Sequence, residues 1–166
     1  SEFFFKPENQ EQLIEFLKEI KKNNIKTTIL GAGSNTLIRD NRVRGAVIKL
    51  GSHFSYTKLI NEDTVEVGAA TLDRKLANFA KDNNIANFEF LSCIPGSIGG
   101  AIIMNSGCYE NDISKILHSI QVIDQKDLTE KEIKKENINF LYRGTSLTDD
   151  LIIISAKFKG IINDKN

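Results

Sequence analysis

Apolar residues recur at helical spacing in two segments of the chain. In the first, Leu13, Leu17 and Ile20 share one helical face and follow Asn9, with a glutamine three residues after it. This arrangement predicts an amphipathic helix capped by Asn9 and ended by the Asn-Asn pair at 23–24. A second amphipathic helix is predicted from the apolar positions Leu72, Leu76, Phe79 and Ala80.

Short runs of β-branched and aliphatic residues separate and follow these helices. Such runs are typical of strands, and we place strands at 27–30, 46–50, 64–67, 120–123 and 152–158. The segment 126–136 is strongly charged, and we expect a solvated turn or helix edge there. Together these elements predict an α+β fold.

Glycine is concentrated in the window 88–109, which holds Gly96, Gly99, Gly100 and Gly107 as well as Pro95. A residue without a Cβ lets backbone N–H groups approach an anion closely. Clustered N–H groups of this kind form a cradle for phosphate. Small residues between the glycines would also let a large planar ligand lie against the backbone. The window therefore predicts a ligand-binding segment.

Earlier in the chain, a glycine-rich turn spans 31–35, directly after the strand predicted at 27–30. We call it the first glycine turn. Its Ser34 and Asn35 side chains are able to hydrogen-bond either a phosphate or the turn itself. Two such turns suit a ligand with a pyrophosphate and a long body, such as a dinucleotide. We place a small lobe at 1–52 and a larger lobe at 53–166, with the ligand between them.

Charge and composition argue against several kinds of partner. The 166 residues include 22 Lys and Arg and 22 Asp and Glu, so the zero net charge leaves no electrostatic footprint for nucleic acid. The longest apolar run, 151–154, is far shorter than the roughly 20 residues that span a bilayer. His53 and His118 stand in no motif, and the two cysteines lack metal-ligand spacing. We expect a cytoplasmic protein with no metal site that binds neither nucleic acid nor membrane.

For Cys93 and Arg143, the local sequence fits both a functional and a structural role. Cys93, beside the glycine window, fits either a reactive thiol or the packing of a small side chain. Arg143 follows an apolar stem in a Tyr-Arg-Gly-Thr-Ser segment, and fits either a surface salt bridge or a ligand contact.

Four segments carry a family resemblance: ILGAGSNTLI at 29–38, FEFLSCIPGSIGGA at 88–101, MNSGCY at 104–109 and YRGTS at 142–146. In order and spacing they resemble the MurB (UDP-N-acetylenolpyruvoylglucosamine reductase) family from about residue 3 to residue 160. The resemblance implies a two-lobed FAD-binding domain of the vanillyl-alcohol-oxidase or PCMH type. Covalent flavin enzymes of that wider group commonly carry a histidine in the first turn. Ser34-Asn35 in that place favours non-covalent FAD and disfavours an oxidase.

The resemblance also implies an activity and a set of site residues. NADPH would reduce FAD, which would reduce the enolpyruvyl group of UDP-N-acetylenolpyruvoylglucosamine, a peptidoglycan precursor. Arg143 would be the catalytic arginine, and Tyr142 and Arg143 would contact substrate. FAD would contact Gly31, Ala32, Gly33, Ser34, Asn35, Thr36, Leu37, Gly68, Ala69, Ala70, Pro95, Gly96, Ser97, Gly99, Gly100, Ala101, Asn105 and Gly107.

The chain also departs from the family pattern. The family has a third domain, which binds the UDP-sugar and supplies a proton-donating serine and a glutamate, and no residue here takes these roles. We therefore expect the FAD-binding portion of the reductase, with the substrate domain missing and no activity alone. The alternative is a stand-alone flavin-binding module without reductase activity. Cys93 stands where the family usually has glycine, and Cys108 where it usually has alanine.

Overall fold

A computed structural model of the protein describes residues 1–38, 40 and 43–163. Its strands are β1 (Phe3–Phe5), β2 (Thr27–Ile29), β3 (Ala46–Ile48), β4 (Thr57–Leu59), β5 (Thr64–Gly68), β6 (Ile85–Ala86), β7 (Gly107–Cys108), β8 (Asn111–Asp112), β9 (Leu117–Asp124), β10 (Thr129–Lys134), β11 (Phe140–Leu141), β12 (Gly144–Thr145), β13 (Leu151–Lys159) and β14 (Ile161–Ile162). Its α-helices are α1 (Gln10–Lys22), α2 (Asp73–Asp82), α3 (Ile98–Ile103) and α4 (Ile113–Ile116). Short 3₁₀ helices cover Ser52–Phe54, Glu89–Cys93 and Lys135–Asn137.

The first fifty residues build a three-stranded parallel sheet in the order β1-β3-β2. All three residues of the central strand β3 are buried, as expected for a strand with neighbours on both sides. Helix α1 begins where the Asn9 side chain accepts the Gln12 N–H at 2.9 Å. The Gln12 side chain in turn accepts the Glu8 N–H at 2.9 Å. The predicted cap and the predicted helix are both confirmed.

The larger sheet has five antiparallel strands in the order β10-β9-β13-β5-β4. Its central strand β13 is buried on both faces. Ile153 joins the main core with α2 and α3, whereas Ile152 and Ile154 pack with Leu13 and Leu17 of α1. Burial on both sides explains why this strand is a continuous apolar run rather than an alternating one.

The other predicted strands and the second helix are also found, with no end shifted by more than three residues. The expectation of a turn or helix edge at 126–136 was wrong, because Thr129–Lys134 forms the edge strand β10. Five of its six residues are exposed, and Lys131 forms salt bridges to Asp124 and Asp127 at 2.7 and 2.6 Å. An edge strand needs no apolar face toward solvent and is commonly charged, so its composition is like that of a solvated turn.

The predicted division into lobes at 1–52 and 53–166 stays a prediction. Each large sheet takes its strands from one side of that boundary, but α1 packs against the sheet of the other side. Residues 164–166, at the end of the predicted larger lobe, lie outside the described residues. Within the described parts of the chain, no helix has the length and apolar character needed to cross a membrane.

Candidate functional site

A cleft of about 930 Å³ lies between the first glycine turn and helix α3. This volume is within the range of small-molecule and cofactor sites. Of the residues that the sequence predicts to contact a ligand, those on the cleft wall are Gly31, Ala32, Gly33, Ser34, Asn35, Thr36, Ala69, Ala70, Pro95, Gly96, Ser97, Gly99, Gly100, Ala101, Gly107 and Arg143. Segments that are distant in sequence therefore meet in one cavity.

The first wall of the cleft is the turn that follows β2. The backbone N–H groups of residues 31–35 have no hydrogen-bond acceptor among the residues that the structure describes. The turn is closed by a bond from the Thr36 N–H to the Gly33 carbonyl at 3.2 Å. Gly33 has φ +86°, a left-handed conformation that favours glycine. The result is a row of free backbone donors facing a cavity, which suits an anion.

The second wall is the segment from Pro95 into helix α3, and backbone bonds fix it to the corner after β5. The Ile98 N–H donates to the Thr71 carbonyl and the Gly99 N–H to the Ala69 carbonyl, both at 2.9 Å. The Gly100 N–H has no acceptor among the described residues. Gly100 is exposed to the cleft, and a methyl group there would meet only Ser97 Oγ, at 3.7 Å. Gly100 thus offers both a free donor and room for a ligand.

The two walls approach each other at Gly31. A methyl group on Gly31 would lie 2.7 Å from Ser97 Oγ and 4.0 Å from the Gly100 Cα. The φ of Gly31 is outside the left-handed region, so the nearness of Ser97, and not the backbone conformation, favours glycine at this position. The residues that carry the unbonded N–H groups of both walls therefore line one cavity, with Gly31 and Gly100 close together.

Arg143 lies in the two-residue turn between β11 and β12, at the edge of the cleft. Its φ of +58° is in the left-handed region, which is uncommon for a residue with a long side chain. The guanidinium Nη2 donates to the Gly107 carbonyl at 3.0 Å, and its carbon lies 5.2 Å from the centre of the Tyr142 ring. The bond to Gly107 holds this cation at the edge of the cavity.

Asn105 lies outside the cleft and links three segments around Arg143. Its side-chain N–H₂ donates to the Leu141 carbonyl at 3.2 Å, and its side-chain oxygen accepts the Ser114 N–H at 3.1 Å. Because Leu141 begins the turn that carries Arg143, Asn105 positions the arginine hairpin from beneath.

Three other predicted contact residues also lie off the cleft wall. Leu37 and Tyr142 are 95% and 91% exposed, but neither side chain lines the cavity. Gly68 packs inside the fold, where a methyl group would lie 2.2 Å from the Phe54 carbonyl oxygen. Their contacts with a ligand stay predictions.

Sequence reasoning missed Asp73, the first residue of α2, which lies under the second wall. Its side chain is fully buried, and neither carboxyl oxygen has a hydrogen-bond partner among the described residues. A methyl group on Gly96 would lie 2.6 Å from Asp73 Oδ2. Burial raises the pKa of Asp73 to about 7, because a low-dielectric surrounding disfavours the charged form. An aspartate in a first helical turn is ordinary in sequence, so nothing indicated this burial.

The cleft contains no arrangement typical of a metal centre. Across the described residues, no group of three or more histidine, cysteine or acidic side chains is placed to hold a metal ion. Besides backbone groups, the cleft is lined by the cations Lys26, Lys49 and Arg143, by several small polar side chains and by the thiols of Cys93 and Cys108.

Residues 1–130 match the family described as FAD binding domain. Because this match covers more than half of the chain, the protein belongs to that family. The backbone donors of both walls lie within the matched residues. The protein is thus an FAD-binding domain of mixed helix and strand, and its cleft lies between the two glycine-rich walls.

The chain is also similar to curated proteins named UDP-N-acetylenolpyruvoylglucosamine reductase. That of Pelagibacter ubique (strain HTCC1062) is 46% identical over 162 residues, covering 98% of this chain and 53% of the relative. That of Rickettsia felis is 43% identical, covering 96% of this chain and 53% of the relative. The chain spans about half the length of the curated relatives it matches.

Two solved structures have the same fold. The reductase (MurB) from Thermus caldophilus superposes with a TM-score of 0.83 and 27% identity, covering 97% of this chain and 56% of that chain. Alkyldihydroxyacetonephosphate synthase superposes with a TM-score of 0.68 and 17% identity, covering 96% of this chain and 31% of that chain. Sequence and fold together correspond to the FAD-binding portion of UDP-N-acetylenolpyruvoylglucosamine reductase, as the four sequence segments predicted.

We predict that replacing Asp73 with asparagine flattens the pH dependence of stability. The folded state holds the Asp73 proton more tightly than the unfolded state, since the pKa is raised on folding. The contribution of Asp73 to the free energy of unfolding should therefore fall from about pH 4 to about pH 7 and then level off. The difference between the folded-state pKa of about 7 and the ordinary pKa of 3.8 corresponds to a loss of at most about 4 kcal/mol in the free energy of unfolding.

Urea unfolding at pH 5 and pH 8 measures this effect. The control is Asp82→Asn, at the exposed far end of α2. Asp82→Asn should retain the loss of stability between the two pH values, and Asp73→Asn should remove most of it. Equal losses in the parent and in Asp73→Asn would show that the carboxyl does not titrate in this range.

Proposed function

We propose that the chain binds FAD non-covalently in the cleft, as the cofactor-binding portion of an NADPH-dependent UDP-N-acetylenolpyruvoylglucosamine reductase. The observation that carries the proposal is that residues 31–35 and Gly100, whose N–H groups have no acceptor among the described residues, line one cavity. The pyrophosphate would lie between these donors, since clustered backbone N–H groups stabilise phosphate charge. Bound FAD would supply hydride transfer between NADPH and the substrate.

Arg143 would hold the substrate carboxylate. A guanidinium presents two parallel N–H donors that match a carboxylate, and it keeps its charge at every working pH. The bond to Gly107 and the Asn105 link to Leu141 keep that side chain at the edge of the cleft before any substrate arrives. A positioned cation of this kind would also stabilise negative charge that develops beside the carboxylate during reduction.

The donor arrangement favours FAD over NAD. In the Rossmann dinucleotide fold one Gly-x-Gly-x-x-Gly element carries the pyrophosphate, whereas here the donors are divided between two separate segments. Titration of the purified chain with FAD should quench flavin fluorescence and raise the melting temperature, and NAD should do neither. Stabilisation by NAD without stabilisation by FAD would contradict the proposal.

Replacing Gly100 with valine should abolish FAD binding without unfolding the protein. The new side chain would extend into the cleft, since a methyl group there meets only Ser97 Oγ at 3.7 Å. The matched control is Gly144→Val, because an added methyl group on Gly144 meets no atom within 4 Å and Gly144 lies off the cleft wall. Parent-like FAD affinity in folded Gly100→Val would mean that this segment has only a structural role.

Replacing Arg143 with alanine should lower turnover and leave FAD affinity unchanged. We expect no UDP-sugar-dependent NADPH oxidation by the 166-residue chain alone, so the assay uses a polypeptide extended to the length of the relatives. There kcat/KM should fall by about 10²–10³-fold, the effect of removing one donor to a developing charge. Arg143→Lys keeps the charge but loses the planar fork and should recover only part of the rate. Unchanged turnover in Arg143→Ala would remove the arginine from the reaction.

A further inference from the structure

Two thiols lie together on the wall of the cleft. Cys93 ends the 3₁₀ helix Glu89–Cys93 and is exposed, and Cys108 lies half-buried in β7. Strand β7 packs against this 3₁₀ helix, both cysteines are free, and both line the cavity. The Cys93 thiol is close enough to Cys108 to contribute to the raised pKa of the Cys108 thiol. Nothing in the proposed FAD function uses either sulfur.

The fold holds the two thiols together from both sides. The β7–β8 hairpin pairs Gly107 with Asp112, and its turn residues Tyr109 and Glu110 have φ values of +50° and +62°. Arg143 fixes the same strand through its bond to the Gly107 carbonyl. The segment between the cysteines contains the second wall of the cleft and helix α3. A bond between the sulfurs would therefore close a loop around that wall.

The surroundings give the two thiols different roles. Burial first, and then the neighbouring Cys93 thiol, raise the pKa of the Cys108 thiol. Cys93 is exposed, so it is the sulfur that an incoming molecule reaches first, whereas the raised pKa of Cys108 leaves less of that thiol as the reactive thiolate. Cys108 is placed to attack only after Cys93 has reacted.

We propose that Cys93 and Cys108 form a dithiol–disulfide pair that reacts with low-molecular-weight disulfides of the glutathione class. The Cys93 thiolate attacks one sulfur of the disulfide, forms a mixed disulfide and releases one thiolate. Cys108 then loses its proton, attacks the Cys93 sulfur and expels the second thiolate. In sum the protein dithiol is oxidised to a disulfide and the small disulfide is reduced to two thiols.

The test is incubation of the reduced, folded protein with oxidised glutathione, followed by acid quenching, intact-mass analysis and non-reducing peptide mapping. The parent should lose two hydrogens, carry no glutathione and yield one cross-linked peptide pair joining Cys93 to Cys108. Cys108→Ser should accumulate one glutathione on Cys93, because the resolving thiol is gone. Cys93→Ser should take up glutathione at least about tenfold more slowly than Cys108→Ser.

Three outcomes would overturn the proposal. The first is a parent that keeps glutathione on Cys93 as Cys108→Ser does. The second is a parent whose two thiols stay unreacted after incubation. The third is a disulfide that joins two chains instead of Cys93 to Cys108. Circular dichroism of each variant shows whether it folds. If a variant does not fold, the result for the parent alone decides whether the proposal holds.

Discussion

The close approach of two glycine-rich segments is the constraint on which the rest of the cleft depends. Gly31 comes so near to Ser97 that a single methyl group would collide with its hydroxyl oxygen at 2.7 Å. This approach brings residues 31–35 and Gly100, whose N–H groups have no acceptor among the described residues, to the wall of one cavity. Neither segment alone offers more than an ordinary turn or helix start. Facing each other, they make a site of the size and polarity that a dinucleotide requires.

The second wall is held in place by the sheet beneath it. Two backbone bonds join the start of α3 to the corner after β5, and β5 pairs with the long central strand β13. Under the same wall lies the buried carboxyl of Asp73, next to Gly96. A buried carboxyl without hydrogen-bond partners destabilises a fold when it ionises. The protein therefore carries a charge-sensitive group directly behind its proposed cofactor site.

The helices and central strands could be predicted from the sequence because local chemistry and tertiary packing agree there. Helix α1 has both its cap at Asn9 and its apolar stripe within one short stretch of sequence. Edge strand β10 could not be predicted in the same way, because a run of exposed charged residues is as common in a solvated edge strand as in a turn. The pattern of apolar residues reports burial, and it reports strand pairing only where pairing buries a side chain.

The glycine-rich segments that line the cleft could be predicted from the sequence. Residues placed by contacts between distant parts of the chain could not. The glycine positions in both walls indicated where backbone can approach a ligand, but not which donors are unbonded, since the Gly99 N–H bonds to Ala69 and the Gly100 N–H has no acceptor among the described residues. The position of Asn105 under the arginine hairpin depends on Leu141, 36 residues away, and no local pattern reports such a contact. The same holds for the burial of Asp73 and for the meeting of Cys93 with Cys108.

Hydrogen–deuterium exchange with and without FAD tests most directly whether both walls hold one ligand. Saturating FAD should slow exchange at the amides of 31–35 and of Gly100 together, because their free N–H groups would become donors to the same pyrophosphate. Peptides from the β9–β10 hairpin should exchange at an unchanged rate. Protection of only one wall, or of neither, would contradict the account that the two glycine segments form a single dinucleotide site.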